Sequence, residues 1–297
     1  MRPFSHPFPR SVLAAATLAL AAALALPASA RAGTVTDTVA RLEATLGGRI
    51  GVELRGEGSP TPLASIRADE RFPMASTFKV LLCGAVLARV DAGEEQLDRR
   101  VSYGPEALVT YSPVTEKRAG GSMTVGELCE ATITLSDNTA ANLLLASLGG
   151  PEGLTTFLRE IGDPTTRLDR NEPSLNAAVP GDERDTTSPK AVLASLETLI
   201  FGDALSDASR RQLEDWMIAD KVADALIRKH LPEGWTIGDK TGAGANGSRA
   251  IIAVIRPPHR TPYLAAIYLT GSSADFDTRN AAIAEIGKAM VEEIGAH

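Results

Sequence analysis

Apolar residues recur at Val35, Val39, Leu42 and Leu46, a spacing that sets them on one face of a helix over 34–46. Residues 49–55 and 63–67 alternate apolar with polar across a Gly/Ser/Pro turn, which predicts two strands. From about Ser76 to Leu213 the spacing becomes helical, broken by loops. Residues 79–90 are apolar almost all round, so that helix is expected to be buried rather than to lie on the surface. Three further strands are predicted over 236–241, 250–256 and 263–270, and a last helix over about 273–294. Strands at both ends with helices between them predict an α+β, two-lobed fold. Its antiparallel sheet of about five strands is built from both chain ends, flanked by helices, and carries an inserted all-helical domain. The expected division is 33–68 with 214–297 for the sheet lobe and 69–213 for the helical one, with the active site between them. No internal repeat or long linker interrupts residues 34–297.

The start of the chain follows a different pattern. Arg2 and Arg10 precede 15 apolar-type residues from Val12 to Leu26, followed by Pro27 and the small residues Ala28, Ser29 and Ala30. That is the layout of a secretory signal peptide, expected to span 1–32 and to be removed. A spanning helix would need roughly 20 apolar residues. Removal changes the charge from 30 basic against 37 acidic residues to 27 against 37, a net −10. With 44% hydrophobic and 23% charged residues the remainder is an ordinary globular chain. It holds no Lys/Arg-rich tract, so neither nucleic acid nor an anionic membrane is an expected partner. A monomer acting on a small molecule is expected, and an anionic substrate would need a local basic pocket. The two cysteines, Cys83 and Cys129, are a candidate disulfide in an oxidising compartment, worth about 4 kcal/mol in the chain-entropy account. The alternative is two buried free thiols.

Beyond the signal only His230, His259 and His297 remain, none in a nucleophile–base pattern, so neither a Ser-His-Asp enzyme nor a His-rich metal site is indicated. Ser76-Thr77-Phe78-Lys79 offers another base. On a helix, residues three apart share a face, and a buried amine loses affinity for its proton. Alone, the pattern is weak, since a helix cap followed by a surface lysine reads the same way. Ser136-Asp137-Asn138 adds a serine able to relay a proton and an amide able to bind a carbonyl. Lys240-Thr241-Gly242, on a predicted strand, adds a cation and a hydroxyl for a carboxylate, with a glycine admitting close backbone approach.

All three motifs occur in the order found in class A β-lactamases and penicillin-binding proteins. Over residues 34–295 the chain resembles the class A β-lactamase family. Arg167-Leu168-Asp169-Arg170-Asn171-Glu172-Pro173-Ser174-Leu175-Asn176 resembles that family's Ω-loop, about 167–185, and Asp185-Thr186-Thr187-Ser188-Pro189 the segment beyond it. The resemblance implies hydrolysis of the β-lactam amide of penicillins and some cephalosporins, giving antibiotic resistance, with no metal or cofactor. It implies Ser76, Lys79, Ser136 and Glu172 as catalytic residues, with Glu172 and Asn176 holding the deacylating water. Either Lys79 directly or Glu172 through water takes the Ser76 proton. Asn138, Lys240, Thr241, Gly242 and Arg249 would bind substrate, the backbone N–H groups of Ser76 and Ala243 would form the oxyanion hole, and Tyr111 would stand at the pocket mouth. Arg170 and Asp185 would pin the loop, and the Glu172–Pro173 peptide would be cis. Cys83 and Cys129 match a disulfide of one subset of the family.

Tyr111-Ser112-Pro113-Val114-Thr115-Glu116-Lys117 is similar to the carbenicillin-hydrolysing branch, although that branch usually has arginine at the place of Lys240. A narrow-spectrum penicillinase, exported to the periplasm, is the expectation. The rivals are a penicillin-binding DD-peptidase, against which Glu172 and its loop argue, and a β-lactam sensor that stays acylated, which would be expected to carry a membrane-spanning segment that residues 34–297 do not show.

Overall fold

The computed structural model describes residues 34–297 with Met1, Pro3 and Phe4; the expected signal segment otherwise lies outside the described residues. The chain ends do build one sheet, of five antiparallel strands in the order β2-β1-β9-β8-β7. Its strands are β1 (Arg49–Gly56), β2 (Ala64–Ile66), β7 (Thr236–Ala243), β8 (Arg249–Arg256) and β9 (Tyr263–Thr270). Two small antiparallel ribbons sit apart from it: β3 (Phe72–Pro73) with β6 (Thr186–Thr187), and β4 (Arg100–Ser102) with β5 (Ser122–Thr124).

β8 is an inner strand, between β9 and β7, and its period-two side chains serve two cores. Ala250, Ile252 and Val254 face the helical side, while Ile251, Ala253 and Ile255 face the other. This is why β8 reads as nearly continuous apolar sequence: both faces are covered. On one side lie α1 (Val35–Leu46) and α8 (Phe276–Ala296), joined where Glu293 accepts the Val35 N–H at 2.9 Å. Thr34 and Asp275 cap these helices by accepting the N–H groups of Asp37 and Thr278.

The opposite side carries α2 (Phe78–Asp91), α3 (Val125–Thr134), α4 (Asn138–Ser147), α5 (Pro151–Glu160), α6 (Pro189–Ile200) and α7 (Asp207–Ile218). α2 runs through the middle of this layer, its residues Phe78 to Leu87 all buried. Each large apolar side chain so buried contributes about 1.5–3 kcal/mol. Gly84 lets α6 approach closely, since a Cβ there would fall 2.7 Å from Leu199 Cδ1. α7 continues to Ile218, past the limit of the helical region expected at Leu213. Among the described residues no helix is long and apolar enough to cross a membrane.

Candidate active site

The nucleophile candidate Ser76 lies in a 3₁₀ turn, Ala75–Thr77, that leads directly into α2. Three contacts hold this turn. The Met74 N–H donates to the Asp185 carbonyl at 3.0 Å, and the Thr77 hydroxyl donates to the Met74 carbonyl at 2.8 Å and meets the Tyr268 hydroxyl at 2.9 Å. β7 presses against the same turn at Gly242, where a Cβ would stand 2.8 Å from the Met74 carbonyl oxygen and 3.2 Å from the Ser76 nitrogen. The close approach expected of that glycine is therefore real. Ala75 is forced to φ 42, a strained setting for a residue with a Cβ and one that clusters at functional sites. Tyr111 and Ser136, also in the site, have φ 66 and 59.

Lys79 projects from the first turn of α2 and is wholly buried. Its amine donates to the Ser136 carbonyl at 2.7 Å, the Ser136 hydroxyl at 3.3 Å and Asn138 Oδ1 at 2.6 Å, and stands 3.2 Å from Glu172 Oε1. Burial lowers its pKa from the ordinary lysine value, and the Glu172 carboxylate opposes that shift. Asp137, the middle residue of its motif, caps α4 through the Ala140 N–H and accepts from the Thr115 hydroxyl and the N–H groups of Val114 and Thr115. It thereby ties the Tyr111 segment to the Ser136 turn. The Asn138 amide is partly committed within the protein: Oδ1 to Lys79 and one Nδ2 hydrogen to the Thr110 carbonyl at 2.8 Å.

The Ω-loop is closed at its neck. Asp185, fully buried, accepts the Asp169 and Arg170 N–H groups at 2.8 and 2.9 Å and pairs with the Arg170 guanidinium. The β3–β6 ribbon then sets the end of the loop beside the chain leading to Ser76. Glu172 is 3% exposed, and the Glu172–Pro173 peptide is cis. Asn176 Nδ2 donates to Glu172 Oε2. A contact that the sequence did not suggest comes from α4, where Asn142 Oδ1 accepts the Glu172 N–H and its Nδ2 donates to the Glu172 carbonyl, both at 2.9 Å.

On the far wall Lys240 is fully buried in β7, its amine donating to the Thr241 carbonyl at 3.0 Å. Burial brings its pKa down to about 8, with the nearby cations Lys79 and Arg249 adding to the shift. Arg249 donates to the Gly242 carbonyl at 2.8 Å and to Asn280 Oδ1 at 2.7 Å, and lies over the Phe276 ring. Its partners are thus the β7 backbone and α8.

Between these walls opens a cleft of about 310 Å³. Ser76, Tyr111, Ser136, Asn138, Asn176, Thr241, Gly242, Ala243 and Arg249 all line it, with Lys79, Glu172 and Lys240 buried behind. Sequence reasoning missed Val222 and Phe276 in the lining, and Asn142 and Asn280 behind it. None of the four sits in a recognisable motif; each reaches the site through tertiary contact. A larger hollow of about 620 Å³ lies elsewhere, between Arg71 and Asn246, and contains none of the expected site residues.

Cys83 and Cys129 are unbridged thiols in this structure. They are neighbours, buried on α2 and α3, with the Cys83 thiol donating to the Cys129 carbonyl at 3.8 Å. Burial and the adjoining Cys129 push the Cys83 thiol well above its ordinary pKa, which keeps it protonated and inert at neutral pH.

A serine at a strained helix-entry turn, a buried amine and carboxylate behind it, and two cations opposite define a serine hydrolase that works through an acyl-enzyme. The family comparisons give the substrate class. Residues 34–294 match the model of the beta-lactamase enzyme family. An ancestral class A β-lactamase (GNCA) is 58% identical, with a TM-score of 0.85 over 87% of this chain and 99% of that one. The class A β-lactamase of the last common ancestor of Gram-negative bacteria is 57% identical, with a TM-score of 0.86 over 88% of this chain and 100% of that one. The putative class A β-lactamase PenP of Rhodopseudomonas palustris is 54% identical, with a TM-score of 0.85 over 89% and 99%. The chain belongs to the β-lactamase enzyme family, in its class A, and is a serine enzyme that hydrolyses β-lactam amides.

Proposed function

We propose that Ser76 Oγ attacks the lactam carbonyl carbon and passes its proton to the Lys79–Glu172 pair. The carbon–nitrogen bond breaks as Ser136 gives its proton to the departing nitrogen and takes one back from the Lys79 amine beside it, so that the proton from Ser76 ends on the nitrogen and an ester is left on Ser76. Glu172, with Asn176, then deprotonates a water that attacks the ester carbonyl, and the proton returns to Ser76 as the acid product leaves. The observation that carries this reading is the buried 3.2 Å approach of Lys79 to Glu172, flanked by Ser136 on one side and Asn176 on the other. The closeness of β7 to the Ser76 nitrogen supports an oxyanion hole formed by the N–H groups of Ser76 and Ala243, of a kind worth a few kcal/mol.

Lys240, Thr241 and Arg249 hold the substrate carboxylate, a local basic pocket in a protein of negative net charge. Asn138 binds the side-chain amide of the substrate through its remaining N–H. Tyr111, 56% exposed, stands at the mouth. A cleft of about 310 Å³ is at the small end of the range for ligand sites, which favours penicillins, and some cephalosporins, over bulkier substrates. No metal or organic cofactor takes part in this chemistry.

The reading includes a signal segment over 1–32, export to the periplasm, oxidation of the Cys83–Cys129 pair there, and a monomeric enzyme. The cleft walls correspond to the lobes 33–68 with 214–297, and 69–213. The test is rapid-mixing hydrolysis of a chromogenic β-lactam in large excess. Steady multiple turnover is expected. A burst of about one equivalent followed by a stall would assign the protein to the peptidase or sensor reading instead.

A further inference from the structure

Asp220 lies just past α7, 4% exposed, in a loop that neither the catalytic motifs nor the Ω-loop supply. Its carboxylate has two separate environments. Oδ1 accepts the Val222 N–H at 2.7 Å, and Val222 is one wall of the substrate cleft. Oδ2 is buried without a hydrogen-bond partner among the described residues. An ionised oxygen so placed is costly unless cations lie close by. Burial raises the Asp220 pKa, and three cations oppose that shift: Lys240 and Arg249, the two assigned to the substrate carboxylate, and Arg228 from the turn Ile227–His230.

We propose that Asp220 is a positioning residue of the carboxylate-binding site, its buried charge keeping Lys240 in the ammonium form and its Oδ1 fixing the Val222 wall. The inference rests on Lys240 being the anchor proposed above.

The need for such a charge follows from what surrounds Lys240. Facing it are Lys79 from α2 and Arg249 from β8, both positive, and Asp239 beside it on β7. Asp239 is already committed to Arg228 through two bonds of 2.9 Å, so its charge is largely spent. Glu172 is likewise spent on Lys79. Arg279 on α8 adds a further cation against Arg249. Asp220 is the carboxylate left to offset this excess, and the Lys240 amine, brought to about pKa 8 even with it present, has little margin. Removing the charge should cause Lys240 to lose its proton within the neutral range. The substrate carboxylate would then face a neutral amine.

Asp220→Asn separates charge from shape, because the amide oxygen can still accept the Val222 N–H. The experiment is the pH profile of KM and kcat for a carboxylate-bearing chromogenic β-lactam. At pH 6, where Lys240 is protonated in both proteins, KM and kcat should agree within about twofold. The alkaline rise in KM should begin about one pH unit earlier in the variant, giving up to about a fivefold higher KM near pH 8, where the parent amine is itself half deprotonated. In a Lys240→Arg background, where the cation cannot titrate in this range, Asp220→Asn should leave the profile unmoved. A profile that superimposes on the parent, or a KM raised by one constant factor at every pH, would overturn the proposal. Asp220→Ser, uncharged and smaller, is the second variant and must show the same shift should the asparagine form fold poorly. If Lys240→Ala leaves KM unchanged at pH 6, it is the anchor assignment that fails, a result separate from the Asp220 outcome.

Discussion

Lys79 and Glu172 face each other at 3.2 Å with neither side chain exposed to solvent. Two opposite charges so buried stabilise one another only because each is also hydrogen-bonded: the amine to Ser136 and Asn138, the carboxylate to Asn176. Proton exchange between the two groups then needs no rearrangement. Removing the carboxylate ends the exchange and strips the deacylating water of its base. Glu172→Ala is therefore expected to acylate and stall, leaving one substrate mass on the intact protein by mass spectrometry. Full turnover by that variant would remove Glu172 from deacylation. Ser76→Ala should form no adduct and retain the parent's circular dichroism.

The loop that carries Glu172 depends on Asp185. This one side chain satisfies two backbone N–H groups and the Arg170 guanidinium, and it is fully buried. Asp185→Ala leaves those donors unsatisfied and puts alanine at φ 58, a conformation that aspartate tolerates better. A loss of about 3 kcal/mol is expected. That would lower Tm by roughly 6–12 °C for a chain of this size, read by calorimetry. Because the deacylating base rides on the loop, kcat should fall more than the acylation rate. Equal loss of both rates would mean that the loop positions more than Glu172.

How much of this was legible beforehand depended on distance along the chain. Ser76 and Lys79 are three residues apart, and Glu172 and Asn176 four, so local spacing pairs them without knowledge of the fold. Period-two and helical patterning located every strand of the main sheet, because β8 and β9 carry alternate residues into two apolar cores. Asn142 was invisible for the opposite reason. It lies in the middle of α4, and its two bonds to the Glu172 backbone cross 30 positions of sequence. Val222 and Asp220 sit in a loop without periodicity, and Phe276 reads as an ordinary helix start. The cysteines mark a further limit: their adjacency was foreseeable, whereas their redox state depends on the compartment as much as on the fold.

That state is measurable. The pair is buried and adjoining, and the Cys83 thiol is held protonated, so thiol reagents should label neither cysteine in the native protein. After unfolding, enzyme recovered from an oxidising compartment should titrate no thiols and enzyme made in a reducing one should titrate two. Bridging closes a loop of 46 positions between Cys83 and Cys129 and constrains the unfolded chain, for a gain of about 4 kcal/mol in the entropy account. The oxidised form should thus melt higher. Two thiols in exported, unfolded enzyme would reject the bridge.

The sharpest pH effect should come from the carboxylate site, not from the nucleophile. Lys240 has a pKa of about 8 in the folded protein, below the ordinary 10.5, because burial disfavours its charged form. The ammonium is therefore intact below about pH 8 and lost as pH rises through that value. Arg249, brought down only to about 10, stays charged over the same range and keeps part of the attraction. KM for a carboxylate-bearing β-lactam should consequently be flat from pH 6 to 7.5 and climb above about pH 8. It should rise several-fold by pH 9 rather than without limit, since one cation remains. In Lys240→Arg the climb should vanish across this range, because guanidinium does not titrate there. An alkaline rise that survives this substitution would place the titrating group elsewhere, Lys79 being the next candidate, and it would then appear in kcat more than in KM.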